Sequence, residues 1–600
     1  MEGRDERYQF TWPDKKKSIL LANSPINATL RPCREESVDF DNTQNLYIEG
    51  DNLDVLKCLK ETYLGKVKMI YIDPPYNTGN DFVYEDDFAE SSAEYLGNSG
   101  QFDEQGNKLV TNTESNGRFH TDWLNMIYPR LKVARDLLTN DGVIFISIDD
   151  NEQSNLKKIC DEIFGEENCM GTIVWSKKRK GSFLSKGIIS LTEYAIVYAK
   201  NRVMVSGIYG GEADGSESQP IIKRTNKSSI LHIPADLINT KLDSGIYNSG
   251  IYGDDVNPVE ILNSIIIEEG KIINDFDIKA PFIWSQQFFN EQIKLGARFV
   301  INTLNFQIRV FKIQKEGSFK GFPSLVNGVE IGGTNEDAYE ELTNFFCIKN
   351  IFDYSKPTKY IKMLIDGICH FDKDSIILDF FSGSATTAHA VMQLNSEDKG
   401  NRKFIMVQLP EVTDEKSEAY KAGYKNICEI GKERIRRAGK KIEDELVAKQ
   451  QKDGMFADDE NKYVLDKGFR VLKLDSTNME DIYYSPSEYD QQNLFAKTES
   501  VKADRTSEDL LFQVMLELGA TLDSKIETKV IGGKQIYNVA DDYLVACFDA
   551  QITDSTVTAI AKMQPQYAVF RDSSMADDAT ATNFEQIFKT YSPSTKTKVL

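Results

Sequence analysis

Short apolar runs alternating with helical segments constrain this chain more than any other feature. Leu46-Tyr47-Ile48 ends in Glu49-Gly50-Asp51, and Asn52–Leu64 follows with Leu53, Leu56, Leu59 and Leu64 at helical spacing. Val67–Ile72 is halted at once by Asp73-Pro74-Pro75, since proline has no N–H to continue a ladder. Trp123–Leu138 reads as an amphipathic helix with Leu124, Ile127, Leu131, Ala134 and Leu138 on one face, and Asn140-Asp141-Gly142 turns it into the strand Val143–Ile148. The pattern resumes at Ile376–Phe380, passes through a loop of small residues and a helix over Thr386–Leu394, and ends in a strand at Phe404–Val407. Strands apolar at nearly every position and joined by helices predict an α/β fold, a parallel sheet covered on both faces.

The alternation breaks in places. Residues 1–44 are polar and irregular, and Gly97–Gly117, rich in Gly, Asn and Ser, predicts a long loop. From Gly171 to Phe345, short β-like runs and glycine pairs replace the strand–helix order, which predicts an inserted domain of another class. Glu415–Gln450 is a long charged helical stretch and Lys452–Lys462 reads as a linker. The tail has its own apolar segments, Tyr543–Phe548 and Tyr567–Phe570, and predicts a small α/β domain. The domains expected are therefore an arm (1–44), two halves of one sheet domain (45–172 and 346–450), an insertion (173–345) and a C-terminal domain (463–600).

Composition excludes several classes. The chain has 600 residues, 40% apolar and 27% charged, which is ordinary for soluble globular protein of several domains. Its apolar runs are far short of a membrane span, and Met-Glu-Gly-Arg-Asp-Glu-Arg is no signal-peptide core. Eight scattered cysteines without CxxC and four dispersed histidines predict no metal site and a reduced, cytoplasmic protein. The net charge of −22 opposes nucleic-acid binding on its face. A sum over the whole chain, however, leaves the charge of one groove open.

Two loops carry chemistry. Asp73-Pro74-Pro75-Tyr76 follows a buried strand, and ligands of open parallel sheets bind outside the carboxyl ends of strands. Two prolines stiffen the turn and hold carboxylate, Pro74 carbonyl and Tyr ring in fixed relation. Two acceptors and an aromatic face suit an exocyclic amino group on a planar ring. The plainer alternative is a rigid turn with a surface tyrosine. The second loop, Asp379-Phe380-Phe381-Ser382-Gly383-Ser384-Ala385-Thr386-Thr387, joins a strand to a helix, where small residues let a ligand approach backbone and amides attract an anion. It fits neither GxGxxG nor GxxxxGK[ST], and a tight, closely packed turn is the alternative here.

Together the two loops resemble those of amino-methyltransferases that use S-adenosylmethionine. Residues 379–387 resemble the cofactor motif Asp-x-Phe-x-Gly-Ser-Gly-Thr-Thr, and Asp-Pro-Pro-Tyr resembles the catalytic motif. The catalytic motif comes first, the circular order of the β class. Ala385 stands where the pattern often has Gly, which predicts a loop that avoids positive φ there. The runs Gly50–Lys57, Tyr71–Asp87, Gly142–Glu152, Asp161–Gly165, Tyr354–Leu364, Arg402–Glu411 and Phe570–Ser592 are similar to Mod subunits of type III restriction–modification systems. The similarity is weakest from about 200 to 345, where that family has its target-recognition domain.

The resemblance implies a Rossmann-like methyltransferase domain that methylates N6 of a flipped adenine in double-stranded DNA, with S-adenosylmethionine as cofactor. It implies that Asp73, Pro74, Pro75 and Tyr76 form the catalytic loop. Phe381 and Gly383 would line the methionine end of the cofactor, and Asp51, Lys356, Asp379, Ser384 and Thr386 would complete its pocket. Gln408 stands where relatives carry a ribose-binding acid, with Glu411 close by. The family further implies a homodimer, a separate ATP-dependent Res subunit, and a C-terminal domain for dimerisation or Res docking. N4-cytosine methylation is the nearest alternative, though those enzymes usually carry Ser in place of Asp73. An orphan enzyme with no Res partner is another.

Weaker features complete the reading. Lys177-Lys178-Arg179-Lys180 is expected to contact DNA phosphates, slightly ahead of a solvated face. Arg434, Arg436, Arg437, Lys440 and Lys441 are expected to form a solvated helix face paired with glutamates. His120 is expected on an ordinary surface loop rather than in catalysis.

Overall fold

A computed structural model describes residues 9–79, 119–181, 187–213, 218–253, 258–311, 318–452, 463–480, 501–571 and 578–600, the side chains of 450–452 and 578–582 excepted. The loop expected at Gly97–Gly117 lies outside these residues, as does the linker beyond Lys452. The chain divides into two compact units, one of residues 1–208 with 323–600, the other Tyr209–Phe322.

The larger unit is built on a ten-stranded sheet. In spatial order its strands are Ala28–Pro32, Arg470–Ser476, Leu46–Glu49, Lys403–Gln408, Ile376–Asp379, Val67–Ile72, Leu138–Ile148, Thr192–Ala199, Cys169–Ser176 and Leu325–Val326. From Arg470–Ser476 to Leu138–Ile148 neighbouring strands run parallel. Ala28–Pro32 closes one side antiparallel, and Thr192–Ala199 runs antiparallel to both of its neighbours. Leu46, Ile48, Ile70, Ile72, Ile144, Ile146, Leu378 and Val407 are wholly or almost wholly buried, which is why the central strands are apolar without alternation. Each such side chain contributes roughly 1.5–3 kcal/mol on leaving water.

Topology sets the place of a site. Ile376–Asp379 is followed by the helix Thr386–Asp398 and then by Lys403–Gln408 on one side, whereas Val67–Ile72 leads to the helix Phe119–Leu137 and the strand Leu138–Ile148 on the other. The connections thus diverge between two adjacent parallel strands, the switch point where an open α/β sheet binds its ligand. Asp379 and Asp73 stand at the carboxyl ends of those two strands.

The structure differs from expectation at several boundaries. Asn140-Asp141-Gly142 is no turn: the strand begins at Leu138, and the register shifts as Val67 pairs with Leu138 and Met69 with Val143. The extra residues are accommodated as a bulge. The insertion expected over 173–345 is narrower as a compact unit, because Thr192–Ala199, Leu325–Val326 and all of Cys169–Ser176 extend the main sheet. Antiparallel neighbours such as Thr192–Ala199 and Cys169–Ser176 need no crossover helix, so strand–helix alternation stops before the sheet does. At the other end, Arg470–Ser476 enters the main sheet and the helix Ser507–Leu518 packs into the main core. Only Ile526–Val599 forms a separate five-stranded sheet, over a core that includes Val545, Ile560 and Phe570.

The smaller unit contains a seven-stranded and a four-stranded sheet around Ile233, Ile261, Ile278 and Phe299. Its first and last residues form a ladder of their own, with Tyr209 opposite Gly321 and Glu212 opposite Phe319. Gly210 permits that approach, since a Cβ there would lie 2.4 Å from the Gly321 carbonyl oxygen. Among the described residues, no helix is long and apolar enough to cross a membrane and no His/Cys/Asp/Glu group could hold a metal ion.

Candidate active site

The turn after Val67–Ile72 is braced from behind. Trp123 Nε1 donates to the Pro75 carbonyl at 2.7 Å, and Asn77, at φ 60°, donates from Nδ2 to the buried Glu152 at 2.6 Å. His120 also meets Glu152, through Nδ1 at 2.5 Å. It occupies the helix Phe119–Leu137 rather than a loop.

Charge is concentrated at the open end of this turn. Lys356 Nζ donates to both oxygens of Asp73, at 2.8 and 2.7 Å, and the Tyr76 hydroxyl donates to Oδ1 at 2.8 Å. Tyr76 also reaches Glu193 Oε2 at 3.2 Å, and Lys177 Nζ holds Glu193 Oε1 at 2.9 Å. The Lys356 ammonium lies 3.5 Å from Glu193 and 5.0 Å from the Tyr76 ring centre. Burial pushes the Asp73 carboxyl above its ordinary range, against the pull of Lys356. Burial also opposes the charges of Lys356 and Glu193. Even so, Asp73 and Glu193 hold the ammonium above the usual lysine range, while Lys356 and Lys177 hold Glu193 below the usual carboxylate range. A carboxylate offers about four lone-pair positions. Among the described residues Lys356 takes two of Asp73's and Tyr76 one, which leaves one for a substrate N–H.

The second loop is organised by backbone and hydroxyls. The Asp379 carboxylate accepts from Phe381 N–H at 3.1 Å and from the Thr387 hydroxyl at 2.6 Å. Burial nevertheless pushes its pKa up to about 7. Gly383, at φ 49°, donates its N–H to Gln408 Oε1 at 2.7 Å, and a Cβ there would touch Phe352 at 3.4 Å. The Gln408 amide also donates to the Leu409 carbonyl at 3.2 Å, so it supports the loop from the end of its own strand. Ala385 does not avoid positive φ: it sits at φ 60°, ψ 39°, immediately before the helix Thr386–Asp398. The turn demands that conformation, and alanine, the smallest residue with a Cβ, meets it fully buried at a cost of roughly 1–2 kcal/mol.

Behind the loop lies a polar cluster that sequence reasoning missed. Arg434 is fully buried rather than solvated, and its Nη1 donates to Ser355, Ser384 and Thr386 at 3.0, 2.8 and 2.7 Å. Its Nη2 donates to Thr358 at 2.9 Å and to Glu341 at 3.2 Å. Arg436 and Arg437 do pair with Glu433. Sequence reading missed Arg434 because charge alone does not tell which face of a helix turns inward. Glu193 was missed too, although a lone acid within Leu191–Ala199 was the available signal.

The other expected residues fall in several places. Asp51 caps the helix Asn52–Tyr63 by accepting from Leu53 N–H at 2.8 Å, and Arg130 Nη2 reaches it at 3.0 Å. Asn52 ties that helix to the Phe380 carbonyl at 2.9 Å, which brings Asp51 to the second loop. Lys356, expected in the cofactor pocket, has its ammonium on Asp73 at 2.8 Å, while its backbone carbonyl accepts from the Thr386 hydroxyl at 3.2 Å. Of the basic run, Lys177 is committed to Glu193 and Arg179 to Asp337, whereas Lys178 and Lys180 are exposed. The loop fits a cofactor with a charged amino-acid end: it offers a buried acid, a close backbone approach at Gly383, and a buried Ser382 hydroxyl.

A switch point between a Pro-stiffened acidic turn and a Gly-containing loop is the arrangement expected of the DNA amino-methyltransferases that the two loops resemble. Comparison with known proteins agrees: the DNA methylase family matches residues 67–440. The Mod subunit of the Escherichia coli type III restriction–modification enzyme EcoP15I is 33% identical over 527 residues, 82% of this chain and 77% of that one. The EcoPI Mod subunit of Escherichia phage P1 is 34% identical over 459 residues, 74% of this chain and 69% of that one. The Klebsiella pneumoniae type II methyltransferase M.KpnI is 29% identical over 406 residues, 65% of this chain and 87% of that one. This chain belongs to the DNA methylase family and, within it, to the type III Mod subunits. Its activity is methyl transfer from S-adenosylmethionine to DNA.

Proposed function

We propose that Asp73, Pro74, Pro75 and Tyr76 bind an adenine flipped out of double-stranded DNA at a non-palindromic site, and that the loop Asp379–Thr387 with Asp51 binds S-adenosylmethionine. The observation that carries this reading is the single acceptor position left on Asp73, beside the Tyr76 ring, at the switch point. An amino group inside a duplex is out of reach, so the nucleotide has to leave the stack. The Tyr76 face replaces lost stacking, worth roughly 1–3 kcal/mol per base. Asp73 and the Pro74 carbonyl accept from N6–H and orient the nitrogen lone pair, which is positioning and electrostatic catalysis. S-adenosylmethionine supplies an electrophilic methyl group on a sulfonium. Phe381, Gly383 and Ser382 hold its amino-acid end, and Asp379 supplies a carboxyl whose charge depends on that partner. We assign Lys178 and Lys180, exposed and outside the ion pairs of Lys177 and Arg179, to phosphate contacts. The Mod relatives are subunits of restriction enzymes, and on that basis we assign this chain a Res partner and a homodimeric state.

Single-molecule sequencing of genomic DNA from cells with and without the gene tests the reading. Loss of N6-methyladenine from one asymmetric motif supports it. Loss of N4-methylcytosine, or no change, refutes it.

A further inference from the structure

Glu193 lies outside both loops. It enters from Thr192–Ala199, the strand antiparallel to Leu138–Ile148, and is 7% exposed. Its two oxygens have different partners: Oε1 takes Lys177, and Oε2 takes the Tyr76 hydroxyl with Lys356 at 3.5 Å. Tyr76 and Lys356 are the two groups that occupy Asp73. A rigid strand thereby holds both donors that decide which lone pair of Asp73 stays open. Building on the role proposed above for Asp73, we infer that Glu193 is a positioning residue for methyl transfer, acting on Asp73 through Tyr76 and Lys356.

Two demands on this region explain why an acid is present. Lys356 is 8% exposed, and a buried ammonium paired only with Asp73 would be free to draw that carboxylate wholly onto itself. A second carboxylate shares the ammonium and leaves Asp73 with acceptor capacity. The Tyr76 ring must also present its face at a set angle, and a hydroxyl held between two carboxylates turns less than one held by a single carboxylate. Lys177 then limits how much negative charge Glu193 adds. The other groups acting on this network are Tyr71 on the strand that leads to Asp73, Asp379 on the neighbouring strand, Tyr360 of the helix Thr358–Cys369, and Asp149 after Leu138–Ile148.

The test uses the full chain, a duplex carrying the unmethylated target site, and kcat measured across pH at saturating DNA and cofactor. Glu193→Gln keeps the shape and an acceptor but removes the charge. We expect kcat to fall by about 10- to 100-fold with both affinities within about twofold of wild type. The acid limb of kcat moves to lower pH, because a negative neighbour of Asp73 is gone. Lys177→Met leaves Glu193 uncountered, so its acid limb moves to higher pH. Glu193→Asp restores the charge, returning the limb to its wild-type position with part of kcat. Opposite displacements in the first two variants support the assignment, since a merely structural support would not produce them. It is overturned if both limbs coincide with wild type, or if Glu193→Gln loses cofactor and DNA affinity in step with activity. Failure of the underlying reading is seen separately: wild-type kcat in Asp73→Asn removes Asp73 from the reaction whatever Glu193 does.

Discussion

Two loops end neighbouring parallel strands and solve opposite problems. Asp73–Tyr76 is held by side-chain charge: an ammonium, a phenol and a second carboxylate surround one acid. Asp379–Thr387 is held by backbone and neutral hydroxyls, with the cation Arg434 behind it. The first has rigid prolines and proline-set φ, while the second has left-handed residues at 383 and 385. Charge balance is thus the working property of one loop and shape that of the other. Substitutions in the first should act on kcat, and those in the second on affinity and stability.

The largest break in that contrast is Asp73→Ala. Its methylation rate should fall at least about 1,000-fold, with cofactor and DNA binding retained by calorimetry and gel shift. Normal methylation by this variant would remove the turn from catalysis. Arg434→Met comes next, because it strips the donor from Ser355, Ser384, Thr386 and Thr358 and leaves Glu341 partly uncompensated. A loss of about 3–5 kcal/mol in denaturant unfolding is expected, with weakened cofactor binding. An unchanged unfolding midpoint would show that the cluster supports nothing.

Asp379→Asn sharpens the comparison through pH. The carboxyl is ordinarily at 3.8 and burial raises it to about 7 in the folded chain. A raised acid stabilises the fold fully below its unfolded value, and that contribution is lost as pH rises through the folded value. Between pH 4 and 7 the cofactor-free wild type should therefore lose up to a few kcal/mol relative to Asp379→Asn, read from parallel melting curves. Parallel pH dependence in the two proteins would contradict a perturbed Asp379. The smallest effect is that of Ala385→Gly. Relief of left-handed strain, set against glycine's greater unfolded freedom, predicts a gain under about 1 kcal/mol with unchanged kcat.

Much of the fold was legible because central parallel strands are buried on both faces and must be apolar at every position. Val67–Ile72 and Ile376–Asp379 announced themselves in this way, and the prolines and small residues after them marked the site. Strands outside the strand–helix repeat obey a weaker rule. Thr192–Ala199 and Arg470–Ser476 join the same sheet, yet without flanking helices to mark them they read as parts of other domains. Side-chain partnership was less legible still. The pairing of Asp73 with Lys356 spans 283 positions, and the inward face of Arg434 depends on packing that spacing does not encode. The resemblance implied Lys356 in the cofactor pocket, and its ammonium meets Asp73 while its carbonyl meets Thr386 of the second loop. The positive φ of Ala385 was misjudged because turn geometry, not residue preference, prevailed there.

The ladder that joins the two ends of the Tyr209–Phe322 unit has a consequence for how such chains diversify. A segment whose entry and exit are already zipped together carries its own closure. Its interior can lengthen, shorten or be exchanged for another with little entropic penalty to the host, since loop closure grows only slowly with length. Recombination at two points a few ångströms apart could then replace the segment as a cassette while every residue around Asp73 and Asp379 stays unchanged. A few pairs of backbone hydrogen bonds and one glycine would thus let this unit change while the residues of the methylation chemistry stay as they are.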